Sequence, residues 1–156
     1  MGRTADGHYC IEDIRRTQNT PLEVERLIRQ TADTDGREVM VSIEQEPGAG
    51  GVNTIDHYQR VVLAGFHFEK NKPTTNKAAR ANPLSSAAEA GHVSIVRAQW
   101  NTAFLDEVEL FPQGDHDDQI DSASGAMQMI TTTRGAIDDA DLVSIGGGLM
   151  SNRWRR

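Results

Sequence analysis

Residues 39–65 read VMVSIEQEPGAGGVNTIDHYQRVVLAG. Successive side chains of an extended chain point to opposite sides, so Val39, Val41 and Ile43 share one face and Met40 lies on the other. Apolar residues on both faces predict a central, covered strand. Pro47, Gly48, Gly50 and Gly51 end the alternation and predict a tight turn that uses the backbone freedom of glycine. Ile55 and Val62 then point inward from a helix, and Gly65 is a helix stop. Strand, glycine turn and helix make half of a parallel α/β unit. The turn stands where a nucleotide-binding phosphate loop would, but that loop needs Lys and Ser or Thr directly after its last glycine. Val52 and Asn53 stand there instead, which leaves a plain tight turn.

Upstream, Asp6-Gly7 is a hairpin turn signal followed by a strand over about residues 8–16. With only one flank present, the first arm of the hairpin is expected to be absent. Thr20, Pro21 and Glu23 have the spacing of a capping box with proline in the first turn. Val24, Leu27 and Ile28 form an apolar face, and Gly36 ends that helix. Downstream, FHFE (66–69) is a short strand. KNKPTTNKAARANP (70–83) is a polar, basic loop or broken helix in which Pro83 marks the break. A helix to Gly91 follows, then a strand in HVSIVRA (92–98). A helix capped by Asn101 covers NTAFLDEVELF (101–111), PQGDH (112–116) is a turn, and DDQIDSASGAMQMI (117–130) is a last helix with Ile120, Met127 and Ile130 inward. Alternating strands and helices predict an α/β fold with a covered, mostly parallel core. Residues 1–131 are expected as one domain, with a loosely ordered tail over 132–156.

The 156 residues suit a single domain. An apolar share of 37% against 25% charged residues suffices for a lean core. No apolar run approaches the ~18 residues of a membrane span, and MGRTADGHYC has no apolar signal core. A cytoplasmic protein is expected. The lone Cys10 excludes an internal disulfide framework and a cysteine-based zinc site. The net charge of −7 argues against a protein that coats DNA through phosphate contacts. It leaves room for an enzyme whose acids hold cations.

Two places offer such acids. Glu44 lies at the carboxyl end of its strand, where open α/β sheets place ligands. QGDHDDQIDS (113–122) holds four aspartates and a histidine. A helix beginning near Asp117 favours acids in its first turn, which accounts for one or two of them. Asp117 and Asp121 are one turn apart and lean toward the buried side, and Asp118 borders them. Acids aimed at one another are costly unless a cation neutralises them, and hard divalent metals accept such oxygens. His116 adjoins the group; His8, His57, His67 and His92 are scattered and expected to be exposed or hydrogen-bonded. Lys70, Lys72, Lys77 and Arg80 form a basic stretch that could contact DNA phosphates or be a solvated loop.

VMVSIEQEPGAGG and LFPQGDHDDQIDSASGA, joined by PLSSAAEAGHVSIVRAQWNTAFLDEVELF, resemble the C-terminal nuclease domain of tailed-phage terminase large subunits. The resemblance runs from about Gly7 to Ile130. It implies a ribonuclease H-like mixed sheet flanked by helices, and an endonuclease that cuts concatemeric viral DNA during packaging. Acids on strands and one helix would hold two Mg²⁺ or Mn²⁺ ions about 3.5–4 Å apart. Glu44 matches the strand acid and Asp117 or Asp118 the helix acid, with Asp121 as a possible neighbouring metal ligand. The family's first catalytic Asp and its first two strands are expected to be missing here, which would leave a gap between the Tyr9 and Val41 strands and a weak or inactive nuclease. The implied partners are double-stranded DNA, an ATPase domain, a small terminase subunit and a portal. Two other readings are another ribonuclease H-like nuclease, such as a resolvase or transposase, and a non-catalytic remnant from a prophage.

Overall fold

Tyr9–Ile11 (β2) is a strand with every residue buried. In the computed structural model, which describes residues 1–72, 75–114 and 116–133, Gly2–Arg3 (β1) pairs with β2 antiparallel, Arg3 opposite Tyr9. Val93–Ile95 (β5) flanks β2 on its other side in parallel, Tyr9 opposite Val93. Three helices cover this sheet: Lys77–Glu89 (α3), Asn101–Leu110 (α4) and Asp118–Thr133 (α5). Their inward residues Leu84, Phe104, Ala123 and Met127 pack with Tyr9 and Ile11 as one apolar core. Trp100 meets the Phe104 ring edge-on at 5.9 Å.

A second core belongs to residues 21–71. Pro21–Asp35 (α1) precedes Val41–Glu44 (β3), and Gly48–His57 (α2) runs into a π-helical turn, Tyr58–Val62. Phe68–Asn71 (β4) then pairs with β3 in parallel, Glu44 opposite Asn71. Ala32, Val62 and Leu63 are the buried centre, wrapped by Ile28, Val41, Ile43, Tyr58, Phe66 and Phe68. Among the described residues the two sheets share no strand pairing, so the Tyr9 and Val41 strands lie in separate sheets.

The α1 boundary follows its sequence signal. The Glu23 carboxylate accepts the Thr20 backbone N–H at 3.0 Å and the Thr20 hydroxyl at 2.7 Å. Those two donors hold Glu23 below the ordinary glutamate pKa, the hydroxyl first. A lowered folded pKa means that the cap's contribution is present above the unfolded value and lost as pH falls through the folded one. An NMR titration of Glu23 is therefore expected to show a midpoint below that of exposed glutamates, moving part of the way back in Thr20→Ala, which keeps the backbone N–H donor.

Other boundaries correct the sequence reading. The hairpin has a first arm after all, two residues long. The strand after it stops at Ile11 instead of running to Arg16. Val39 is outside its strand and 45% exposed. β3 has one paired neighbour, so it is an edge strand and not a central one. The FHFE strand is displaced by two residues, to Phe68–Asn71. Pro83 does not break α3: it sits on the exposed side, while Ala81 and Leu84 are buried on the inner side and anchor the helix through it. Asn101 does not cap α4. Its amide holds the preceding turn, accepting from Ala98 N at 2.7 Å and donating to Val96 O at 3.0 Å. The expected tail lies outside the described residues beyond Thr133. No helix among those described is long and apolar enough to cross a membrane.

Candidate active site

Glu44 closes β3, and Asp117, Asp118 and Asp121 open α5. Helix α3 carries Lys77 and Arg80 between them, three residues apart and hence on one face. The Lys77 ammonium lies 2.6 Å from Asp117 Oδ1 and 3.3 Å from Asp121 Oδ2. Arg80 Nη2 lies 3.0 Å from Asp121 Oδ1 and 3.7 Å from Glu44 Oε2. Three carboxylates from two elements thus converge on two cations from a third. Asp118 points away: its side chain is 76% exposed and meets Arg16 at 3.8 Å. The i and i+4 spacing brings Asp117 and Asp121 to one side, and Asp118 falls outside that side.

The cations respond as opposite charges require. The hydrogen bond to Asp117 raises the Lys77 pKa, and the bond to Asp121 raises that of Arg80. Asn71, paired with Glu44 across the β3–β4 ladder, enters the same neighbourhood. Its amide nitrogen lies 3.8 Å from the point where a Cβ on Gly125 would stand, one turn past Asp121. Glu44 also borders a cleft of about 280 Å³ with Ile28, Ile43, Glu46, Gly51, Thr54, Ile55 and Tyr58.

The start of α5 is fixed by a residue that sequence reading passed over. Glu107 on α4 is 6% exposed. Its Oε1 accepts the backbone N–H groups of Gln119 (2.7 Å) and Ile120 (3.1 Å), and its Oε2 accepts the Gln119 side-chain amide (2.7 Å). A helix start leaves its first amides without partners; here a carboxylate from the neighbouring helix supplies them. The signal was in the helical period: Glu107 stands three residues after buried Phe104 and so on its face, whereas Asp106 and Glu109 fall away from it and are exposed.

A family profile for the terminase RNaseH-like domain matches residues 1–130. The chain belongs to this family. Neither a curated protein nor a solved structure matches it. Terminases are nucleases of phage DNA packaging, and the mixed α/β architecture with helices on small sheets agrees with the ribonuclease H-like class.

In this terminase domain the basic stretch divides. Lys77 and Arg80 turn to the acids, whereas Lys70 and Lys72 are exposed at and just after the end of β4. His116 is exposed, and Asp115 lies outside the described residues. His8 bonds Ser94 Oγ at 2.8 Å, and His57 meets Glu25 at 3.2 Å, as their scattered positions led one to expect. The donor set of Glu44, Asp117 and Asp121, all carboxylate oxygens, suits a hard divalent cation in kind. In arrangement it is closed around Lys77 and Arg80. Among the described residues no three His, Cys, Asp or Glu side chains are grouped closely enough to hold an ion.

Proposed function

We propose that this terminase domain is a divalent-cation-dependent endonuclease that cuts concatemeric double-stranded viral DNA during genome packaging in the bacterial cytoplasm. One observation supports the reading above others: acids from β3 and α5 gather around a shared cationic centre. Glu44, Asp117 and Asp121 would hold Mg²⁺ or Mn²⁺, and Asp118 at the rim would join them by a rotamer change. When bound, the ions neutralise the scissile phosphate and activate the attacking water. Glu44 and the α5 acids would supply the oxygen ligands, and Asn71 would hold the end of β3 against α5. Lys70 and Lys72 would meet the DNA backbone. An ATPase domain, a small terminase subunit and a portal would bring DNA to the site.

Activity of the isolated chain should be slow, because its inward acids are already engaged by Lys77 and Arg80. Incubation with supercoiled plasmid is expected to give slow nicking that needs Mn²⁺ and disappears in Glu44→Gln. Nicking that persists in both Glu44→Gln and Asp121→Asn would refute the assignment. The same pairing of every inward acid with a cation favours a second reading, a non-catalytic remnant of a prophage. Calorimetry separates the two, since a remnant would take up no Mn²⁺.

A further inference from the structure

Two exposed apolar surfaces stand apart from the acids around Lys77 and Arg80. The first is an open groove of about 540 Å³ between α1 and the π-helical turn. Leu22 and Val61 line it, 56% and 61% exposed. Arg26 and Arg29 follow Leu22 at four and seven residues, along the same side of α1. The acids of the groove are engaged, Glu25 with His57 at 3.2 Å and Asp33 with Arg29 at 3.0 Å. Arg26 is exposed and has no ion-pair partner among the described residues. The second surface is the outer side of α4. Phe104 and Glu107 turn inward, which leaves Leu105 and Val108 outside, 50% and 44% exposed. Glu109, four residues after Leu105, is exposed beside it and also lacks an ion-pair partner among the described residues. No basic residue lies in α4.

We propose that α4 of one copy of this chain lies in the α1 groove of another, with Leu105 and Val108 against Leu22 and Val61 and with Glu109 opposite Arg26. Each surface offers what the other lacks, since the groove has an unpaired cation and the helix an unpaired acid, both beside uncovered apolar side chains. The groove and the helix belong to different cores, so the match is made between chains. Their lengths agree: the 10 residues of α4 span about 15 Å and the 15 of α1 about 22 Å. One helix can therefore lie along the other, its side chains filling the gap beside it. Such a contact joins two different surfaces. Each pair keeps one free α4 and one free groove, and the assembly grows past two copies. The buried area is that of one helix flank, so copies join and part with concentration. The acids of β3 and α5 take no part in it.

Sedimentation of the full chain over a range of concentrations tests this. The wild type is expected to sediment faster as concentration rises, beyond the rate of a dimer. Arg26→Glu and Glu109→Lys each set like charges across the contact and are expected to weaken association about five- to tenfold. Leu105→Ser and Val61→Ser remove the apolar contact and are expected to weaken it about tenfold. All four positions are exposed, so the fold is kept, which circular dichroism verifies. An equal mixture of Arg26→Glu and Glu109→Lys chains has opposite charges at every contact between unlike chains. It is expected to recover association to within about twofold of the wild type. A wild type that stays monomeric at all concentrations overturns the proposal, and so does a mixture that associates no better than its components. Association that stops at a dimer and is unchanged in Arg26→Glu overturns it as well, since α4 would then be meeting α4.

Discussion

Glu107→Ala is expected to destabilise the domain by about 3 kcal/mol and to lower its melting temperature by roughly 6–12 °C. The substitution removes a buried carboxylate that three donors share. It leaves the backbone amides of Gln119 and Ile120 without acceptors, and the Gln119 side-chain amide with only the Ala103 carbonyl at 3.3 Å, in a place that water reaches poorly. Each stranded donor carries its own desolvation cost, and the positive end of the α5 dipole loses its neighbouring charge. Glu107→Gln should recover about half of the loss, since its oxygen can still accept both backbone amides while its nitrogen faces the Gln119 amide. Urea unfolding of the three chains measures this. A Glu107→Ala chain within about 0.5 kcal/mol of wild type, the range of ordinary surface changes, would show that the contact is idle. The loss should extend to the site, because Asp117, Asp118 and Asp121 take their positions from the same helical turn.

Gly51→Ala is expected to cost about 3 kcal/mol as well, for a different reason. Gly51 does not have the left-handed backbone that marks Gly48, whose φ is 90°. Space is what Gly51 needs. A Cβ there would lie 2.0 Å from the Glu46 carbonyl oxygen and 2.7 Å from its carbon. Backbone atoms cannot swing aside as a side-chain tip can, so the turn between β3 and α2 must open. Its neighbour provides the contrast. Gly50 has nothing within 4 Å of its added Cβ, lies in α2, and should gain about 0.4–1 kcal/mol on becoming alanine, mainly by restricting the unfolded chain. If unfolding experiments place Gly50→Ala and Gly51→Ala on the same side of wild type, the close approach is not what holds the turn.

These two residues mark where the sequence was legible and where it was not. Short-range chemistry could be read directly. Thr20 and Glu23 form their cap because both partners lie within one turn, and Asp117 and Asp121 share a side because the helical period puts them there. The α/β alternation was likewise visible. The partners of Glu107 and of the Lys77–Arg80 clasp were not, since they lie on elements far along the chain. Nothing in the text of α3 indicates that its cations will meet α5. Pro83 was misread for a related reason: local chemistry counts the lost hydrogen bond, whereas buried Ala81 and Leu84 decide the outcome. The edge position of β3 could not be inferred either, because an apolar strand covered by helices has the same pattern as one covered by neighbouring strands.

The absence of strand pairing between the two sheets among the described residues bears on how the molecule moves. Each half encloses its own oil drop, so parting them sacrifices no ladder of backbone bonds. What such a breathing motion must break is the Arg80 strap between Glu44 and Asp121, together with the packing of α5 on β3. The strand acid and the helix acids thus stand on opposite sides of that seam, bridged by one guanidinium and by the packing of α5 on β3.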